Sequence, residues 1–345
     1  MTDSKVNWDY VEELKRQDNG DLHAIAHPFG LPEFADLTES RFAPGVEIAP
    51  AWDIPRKVFI CQAIVGAFVS QKQNPNQPIK ADEIRDQAMA CLELGAPNVH
   101  VHVRDKDGRN ILDPELFHYV IDPIRKRYPD RIVCGCLVAD QPGAWGKLKE
   151  CLESGMFDQT PINTFATYVG DSVLLKPPHV MMEKTRLCQE HGVKPQIAVY
   201  SDGDIDNAHR YLIKTGLLEK PYYWIILPAL PGCTPMHSPK SMAEGLMHHV
   251  NRIREIDENS EIVVCAAGRA SSYIATFAIL LGLDIRVGME DTVWMWPHRN
   301  ELIENNVEVY KMFEQLIKLL GREIISPDEF RARVGMDKLA SKKRR

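Results

Sequence analysis

The sequence predicts an α/β protein built as a (β/α)8 TIM barrel with an N-terminal extension, and three observations carry that expectation. Eight short runs rich in β-branched residues follow one another from Lys57 onward, at 57–65, 98–104, 131–138, 157–163, 195–200, 222–229, 261–267 and 284–290. Longer stretches of helical periodicity separate them, several closed by a glycine at the C-cap. Neither a Gly-x-Gly-x-x-Gly after the first strand nor a Walker loop occurs, which weakens the dinucleotide and nucleoside-triphosphate alternatives. An open doubly wound sheet gives a similar alternation, but eight strand-then-helix units in roughly 260 residues match the closed barrel better.

Taken in order, residues 1–56 are rich in Pro, Asp and Glu, carry Trp8, Phe29, Phe34 and Trp52, and precede the first strand. They read as an arm packing on the barrel or on a neighbouring subunit, with a disordered leader as the alternative. The barrel occupies 57–336, with helix-like stretches at Lys80 to Gly95, Pro114 to Tyr128, Asp171 to Gly192, Asp204 to Gly216, Pro239 to Ile256 and Ser271 to Gly282, and a last helix from Pro297 to Leu320. Residues 337–345 form a basic tail whose Lys342-Lys343-Arg344-Arg345 reads as a solvated end.

A chain of 345 residues with 44% hydrophobic content can bury a large core, and its net charge of -7 argues against a general nucleic-acid binder. The first residues lack an apolar signal segment, and the longest apolar stretch, Ile274 to Leu283, is far short of a bilayer span. A soluble cytoplasmic protein with no membrane or nucleic-acid partner is expected. The eight cysteines form no Cys-x-x-Cys pair, and most sit in apolar runs as small hydrophobes, which argues against a disulfide scaffold or zinc ribbon.

The chemistry concentrates at two strand ends. In Asn98-Val99-His100-Val101-His102-Val103-Arg104, alternate positions carry His100, His102 and Arg104, so a strand would point them the same way. In Arg286-Val287-Gly288-Met289-Glu290-Asp291 the same alternation aligns Arg286, Gly288 and Glu290. In a closed barrel the second and eighth strands flank the first, so His100, His102 and Glu290 can form a two-histidine, one-carboxylate metal site with an open position. Burying two imidazoles together without a shared ligand would be costly. Zinc and iron(II) both accept this donor set. Arg286 is either a salt-bridge partner of Glu290 or Asp291 or a stabiliser of developing negative charge. Asp291 is either an orienter of histidine or a general base, and the base is preferred. His248 and His249 fall in an outer helix, and His23, His27, His179 and His191 in loops or helix ends; none is expected to bind metal. The turn Ala267-Gly268-Arg269-Ala270-Ser271-Ser272 reads equally as an anion site or as a tight turn capped by Ser271 or Ser272.

Together, Ala63-Ile64-Val65-Gly66-Ala67, His100-Val101-His102-Val103-Arg104-Asp105 with Asp107-Gly108 after it, Ala267-Gly268-Arg269 and Arg286-Val287-Gly288-Met289-Glu290-Asp291 resemble the β-keto acid cleavage enzymes, the group represented by 3-keto-5-aminohexanoate cleavage enzyme. The similarity runs from Lys57 to Met336. It implies a homotetrameric barrel with one Zn2+ per subunit that exchanges acyl groups between a β-keto acid and acetyl-CoA as cosubstrate, giving acetoacetate and a new acyl-CoA. Carried over by position, His100, His102 and Glu290 fall on the zinc ligands, Arg286 and Asp291 on the catalytic pair, and Thr160 on a substrate-contacting threonine.

Three positions depart from that pattern. Phe68 stands where the aminohexanoate enzyme has a glutamate that holds the substrate ammonium, so a substrate without a β-amino group is expected. Cys136 replaces a serine beside the reacting carbonyl. Ala198 replaces the strand-five glutamate, leaving Gln196 or water to supply a polar contact. Phe68, Tyr200, Trp294 and Trp296 near the mouth suit a neutral or apolar substituent, or equally serve packing at loop ends. The rival readings are a metal-dependent keto-acid aldolase or decarboxylase that needs no CoA, and a non-catalytic metal-stabilised barrel that binds keto acids. A cupin oxygenase shares His-x-His with a carboxylate, but its all-β pattern does not fit these helices.

Overall fold

In the computed structural model, which describes residues 4–17, 39–47, 49–139, 141–164, 166–232, 234 and 236–337, all eight expected strands join in one closed parallel barrel. They are β1 (Ile60–Ala63), β2 (Asn98–Val101), β3 (Ile132–Gly135), β4 (Gln159–Asn163), β5 (Lys194–Val199), β6 (Tyr223–Ala229), β7 (Glu261–Ala266) and β8 (Asp284–Val287). β8 returns to pair with β1, so β2 and β8 flank it. Helices cover the outside: α1 (Ala81–Glu93), α2 (Pro114–Arg127), α3 (Ala144–Glu153), α4 (Pro178–Glu190), α5 (Asp202–Ala208), α6 (Pro239–Ile256), α7 (Ser271–Leu280) and α8 (Asn306–Leu319).

Both faces of each strand are covered, which is why the strands read as nearly continuous apolar runs. Val99, Val101, Val133, Ile162, Ile197 and Ile226 pack outward against the helices. Cys61, Ala198, Tyr223, Ile225, Val263 and Cys265 fill the interior. At the N-terminal end of the cylinder Lys57–Val58 pairs with Glu323–Ile324, and Phe330 of the closing helix Pro327–Val334 stacks on Phe59 with ring centroids 3.5 Å apart. That end is thereby plugged with aromatic side chains.

Helix starts follow their local chemistry. Asp113, Ser238 and Asn305 each accept a backbone N–H in the first turn of α2, α6 and α8, and a proline follows immediately in the first two cases. The expected boundaries change in four places. Residues 171–175 are not helical: Ala166–Val169 and Ser172–Leu175 form an antiparallel hairpin, and the Pro177-Pro178 pair lets a helix start there but not run through it from upstream. The last helix begins at Asn306 rather than Pro297, because Asn305 caps it and 297–305 form a loop. α5 gives way to a π-helical turn, His209–Ile213. α3 is a helix between β3 and β4 that the pattern did not single out.

By its internal contacts the chain divides into two units, with the boundary between Ile54 and Pro55. Within the first, the helix Trp8–Gln17 is held by a hydrogen bond from the Asn7 N–H to the Phe42 carbonyl (2.7 Å) and by the Tyr10 ring against Phe42. His23, His27, Phe29, Phe34, Cys233 and the Lys342-Lys343-Arg344-Arg345 tail lie outside the described residues. Among the described residues no helix is long and apolar enough to cross a membrane.

Candidate metal centre and active site

β2 sets His100 on the inner face of the barrel, in register with Cys134 of β3. The chain leaves the ladder at His102, yet the two imidazoles still converge, their centroids 5.3 Å apart. Arg104 does not join them. Val103–Arg104 has turned away to pair antiparallel with Asn110–Ile111, and the guanidinium instead donates to the carbonyls of Gly66 and Gly108, tying together the loops that follow β1 and β2.

β8 likewise ends at Val287, earlier than its alternation suggested. Gly288 has φ +145°, and a Cβ there would stand 2.0 Å from the Ala63 carbonyl oxygen. This kink, rather than strand alternation, brings Glu290 to the histidines. Its Oε2 lies 3.2 Å from His100 Nε2, and its Oε1 lies 3.3 Å from His102 Nε2.

The far side of each imidazole is occupied. His102 Nδ1 donates to Asn110 Oδ1 (2.6 Å), and His100 Nδ1 lies 2.9 Å from Cys134 Sγ. Because an amide oxygen only accepts, His102 carries a proton on Nδ1, and in its neutral form Nε2 has a free lone pair; in the His100–Cys134 contact either partner can be the donor. Among the described residues neither Nε2 nor Glu290 Oε2 has a hydrogen-bond partner, although His100 is 1% and His102 4% exposed. The Nε2–carboxylate separations are short but lack hydrogen-bond geometry. Donors sharing one tetrahedral ion at about 2.0–2.1 Å stand about 3.3–3.4 Å apart, close to the separations seen here, so the residues fit a small divalent cation.

Cys136 brings a further donor. One ligand atom each from His100, His102 and Cys136 lies within 4.8 Å of the others. Electrostatics agree with a centre that attracts positive charge. Burial opposes protonation of His102, but Cys136 and Glu290 raise it to about 10. Burial also opposes it at His100, where Glu290 and Cys134 outweigh that effect. Burial would raise Cys136, yet His102 and His100 bring it down to about 5. Glu290 falls well below the usual carboxylate range because Arg286 and the two histidines outweigh its desolvation.

Arg286 does pair with both carboxylates. One of its terminal nitrogens is 2.7 Å from Glu290 Oε1 and 2.5 Å from Asp291 Oδ1, and its Nε is 3.2 Å from Asp291 Oδ2. Burial lifts Asp291 above the ordinary carboxylate value while Arg286 opposes the rise. The structure thus joins His100, His102, Glu290, Arg286, Asp291 and Cys136 in one cluster.

Thr160 lies apart from this cluster. β4 pairs with β5 so that Ile162 meets Ile197 on the outer face and Asn163 meets Ala198 on the inner one; Thr160 shares the outer face with Ile162, its hydroxyl 3.5 Å from the Leu137 N–H. Asn163 is the β4 residue that faces the interior near the mouth, donating to the Tyr200 hydroxyl at 3.3 Å. A one-residue slip in register exchanges the two faces of a strand. Phe68 lies in the loop after β1, largely exposed, and Gln196 and Ala198 share the inner face of β5, with Gln196 Nε2 unpartnered among the described residues. Trp294 and Trp296 are half-buried beneath the Arg269 and Arg299 guanidinium groups. At the 267–272 turn, Gly268–Ala270 forms a 3-10 turn and α7 starts at Ser271 without a side-chain cap, so the capped-turn expectation fails. His248 lies on α6, paired with Asp202.

Four supporting residues were missed. Asn110 and Cys134 back the histidines. Asn306 accepts from the Met289 N–H (3.0 Å) and donates to the Ile64 carbonyl (3.0 Å), stitching the end of β1 to the loop that carries Glu290. At Gly66 a side chain would collide with Glu290. Only Asn110 had a usable signal, since the Asp107-Gly108 turn folds it back opposite the strand.

The family model for beta-keto acid cleavage enzymes matches residues 57–336. A 3-keto-5-aminohexanoate cleavage enzyme of Fusobacterium nucleatum subsp. nucleatum is 30% identical over 289 residues, covering 82% of this chain and 99% of the relative. A 3-dehydrocarnitine:acetyl-CoA trimethylamine transferase of Rhizobium meliloti is 24% identical, covering 82% and 98%. Among solved structures, apo ObcA superposes with a TM-score of 0.67 at 17% identity over 76% of this chain and 66% of that one, a likeness of fold.

Proposed function

The chain belongs to the beta-keto acid cleavage enzyme family, and on that premise we propose that it is an acyltransferase which condenses a β-keto acid with acetyl-CoA to give acetoacetate and a new acyl-CoA. The observation that carries the metal part of this reading is the pair of unpartnered, buried Nε2 atoms of His100 and His102 facing the unpartnered Oε2 of Glu290. The use of acetyl-CoA is supported by the named activity of the Rhizobium relative.

In this reading His100, His102 and Glu290 hold one Zn2+ per subunit. When bound, a divalent cation polarises the ketone and carboxylate oxygens of a β-keto acid and acidifies the methylene between them. Asp291 is the base that takes a methylene proton; burial, which raises its proton affinity, suits that task. Arg286 holds Asp291 in position and carries compensating charge as the carbanion forms. The carbanion attacks the thioester carbonyl of acetyl-CoA, and the CoA thiolate leaves. The thiolate then adds to the keto carbon of the original substrate, the carbon–carbon bond breaks, the acetoacetate carbanion so released takes back the proton held by Asp291, and acetoacetate departs with the original acyl group left on CoA. Cys136 and Phe68 line the substrate. Phe68 offers no carboxylate for an ammonium, so the substrate lacks a β-amino group. The same reading includes a cytoplasmic homotetramer.

Incubating the purified chain with a panel of neutral, anionic and β-amino β-keto acids plus acetyl-CoA, and measuring free acetoacetate, tests the proposal. Acetoacetate formed only when acetyl-CoA is present, with the neutral acids preferred, is the expected result. Turnover without thioester would point to an aldolase or decarboxylase instead, and tight binding without turnover to a binding protein.

A further inference from the structure

We infer that Cys136 is itself a ligand of the metal centre, adding a thiolate to His100, His102 and Glu290; this rests on the metal-site reading above. The strand register makes the juxtaposition. β2 and β3 pair His100 with Cys134, and the Cys136 N–H still donates to the Val101 carbonyl at 3.3 Å, so Cys136 stands level with His102 just beyond the end of both strands. β3 thus offers two sulfurs to the histidines from alternate positions. Cys134 Sγ meets His100 at Nδ1, away from the metal position. Cys136 contributes a donor atom that lies within 4.8 Å of one from each histidine. Both Nε2 atoms are more than nine-tenths buried and unpartnered among the described residues, which is the condition a shared ion would satisfy.

The consequence is a change in the character of the site. Two histidines and a carboxylate would supply three donors to a bound zinc ion, and the Cys136 thiolate would supply a fourth. Of the four side chains, Glu290 is the one whose charge is also shared with a cation of the protein itself, since Arg286 holds its Oε1 at 2.7 Å. A sulfur donor also biases the centre toward zinc and against magnesium, calcium or manganese, which prefer oxygen.

The test is optical and independent of turnover. The full chain, stripped with a chelator, is titrated with Co2+ and its absorption recorded. The expected result is one Co2+ per chain with a near-ultraviolet thiolate-to-cobalt charge-transfer band, lost in Cys136→Ser and Cys136→Ala but kept in Cys134→Ser. Zinc affinity of Cys136→Ser, read by chelator competition, should fall roughly tenfold or more while stoichiometry holds. Cobalt bound without that band, or a band that survives in both Cys136 variants, overturns this inference while leaving the two-histidine, one-carboxylate site intact. Failure of the wild-type chain to bind Co2+ at all would overturn the metal-site reading itself.

Discussion

A Cβ on Gly66 would stand 2.3 Å from Cγ of Glu290 and 3.0 Å from its Cδ, so the carboxylate reaches the histidines only because position 66 has no side chain. The two residues are far apart in sequence and meet because β1 and β8 are neighbours in the barrel. Gly66→Ala should therefore leave the secondary structure unchanged by circular dichroism while weakening zinc binding roughly tenfold or more, measured by competition with a chelator. An alanine variant with native zinc affinity would show that Glu290 is not a ligand.

Asp291 and Glu290 are adjacent in sequence but differ in what they face, and substitution should separate their roles. Asp291→Asn should keep full zinc content and lose about 10²–10⁴-fold in kcat. Glu290→Gln should bind zinc more weakly as well as lose activity. Metal analysis alongside steady-state rates distinguishes the two, and a fully active Asp291→Asn enzyme would exclude the base.

Asn306 joins the end of β1 to the loop after β8 through hydrogen bonds in a fully buried setting, and also donates to Gln87 Oε1 at 2.7 Å. Asn306→Ala leaves the Met289 N–H and the Ile64 carbonyl without partners. A loss of about 2–4 kcal/mol in unfolding free energy is expected from denaturant titration, with reduced zinc affinity because Glu290 loses its anchor.

Asp284, at the start of β8, accepts from the Phe59 N–H at 2.7 Å and pairs with Arg333. Burial outweighs that arginine and raises its carboxyl to about 6. The folded state therefore holds the proton more tightly than the unfolded chain. This group's contribution to stability is greatest at pH below about 4, declines as pH rises toward 6, and is lost above, with a span on the order of 3 kcal/mol. Asp284→Asn can still accept from Phe59 and should flatten that slope. Urea unfolding of both proteins at about pH 4.5 and 7 checks it; parallel pH dependences would refute the assignment.

The legible features were those that repeat along the chain or sit on one stretch of it. The barrel follows from the alternation of apolar runs with helical periodicity, and the His100, His102, Arg286, Glu290 and Asp291 cluster follows from two local patterns plus barrel adjacency. The helical pattern from Asp171 takes in the second hairpin strand, Ser172–Leu175, because its apolar residues suit either element, and the Pro177-Pro178 pair is the signal against it.

By itself, the sequence determined that eight strand-then-helix units would alternate along the chain, with His100 and His102 near the end of the second strand and Arg286 in the eighth, because hydrophobic pattern and residue order are local properties of the chain. Only the tertiary structure decided which face Thr160 occupies, that Gly288 bends Glu290 into the site, that Gly66 leaves room for it, and that Cys134 and Cys136 flank the histidines. Each depends on register between strands or on how a strand ends. His100 and Cys134 are 34 residues apart, and no local pattern encodes that pairing, whereas a shift of one residue would have reversed it.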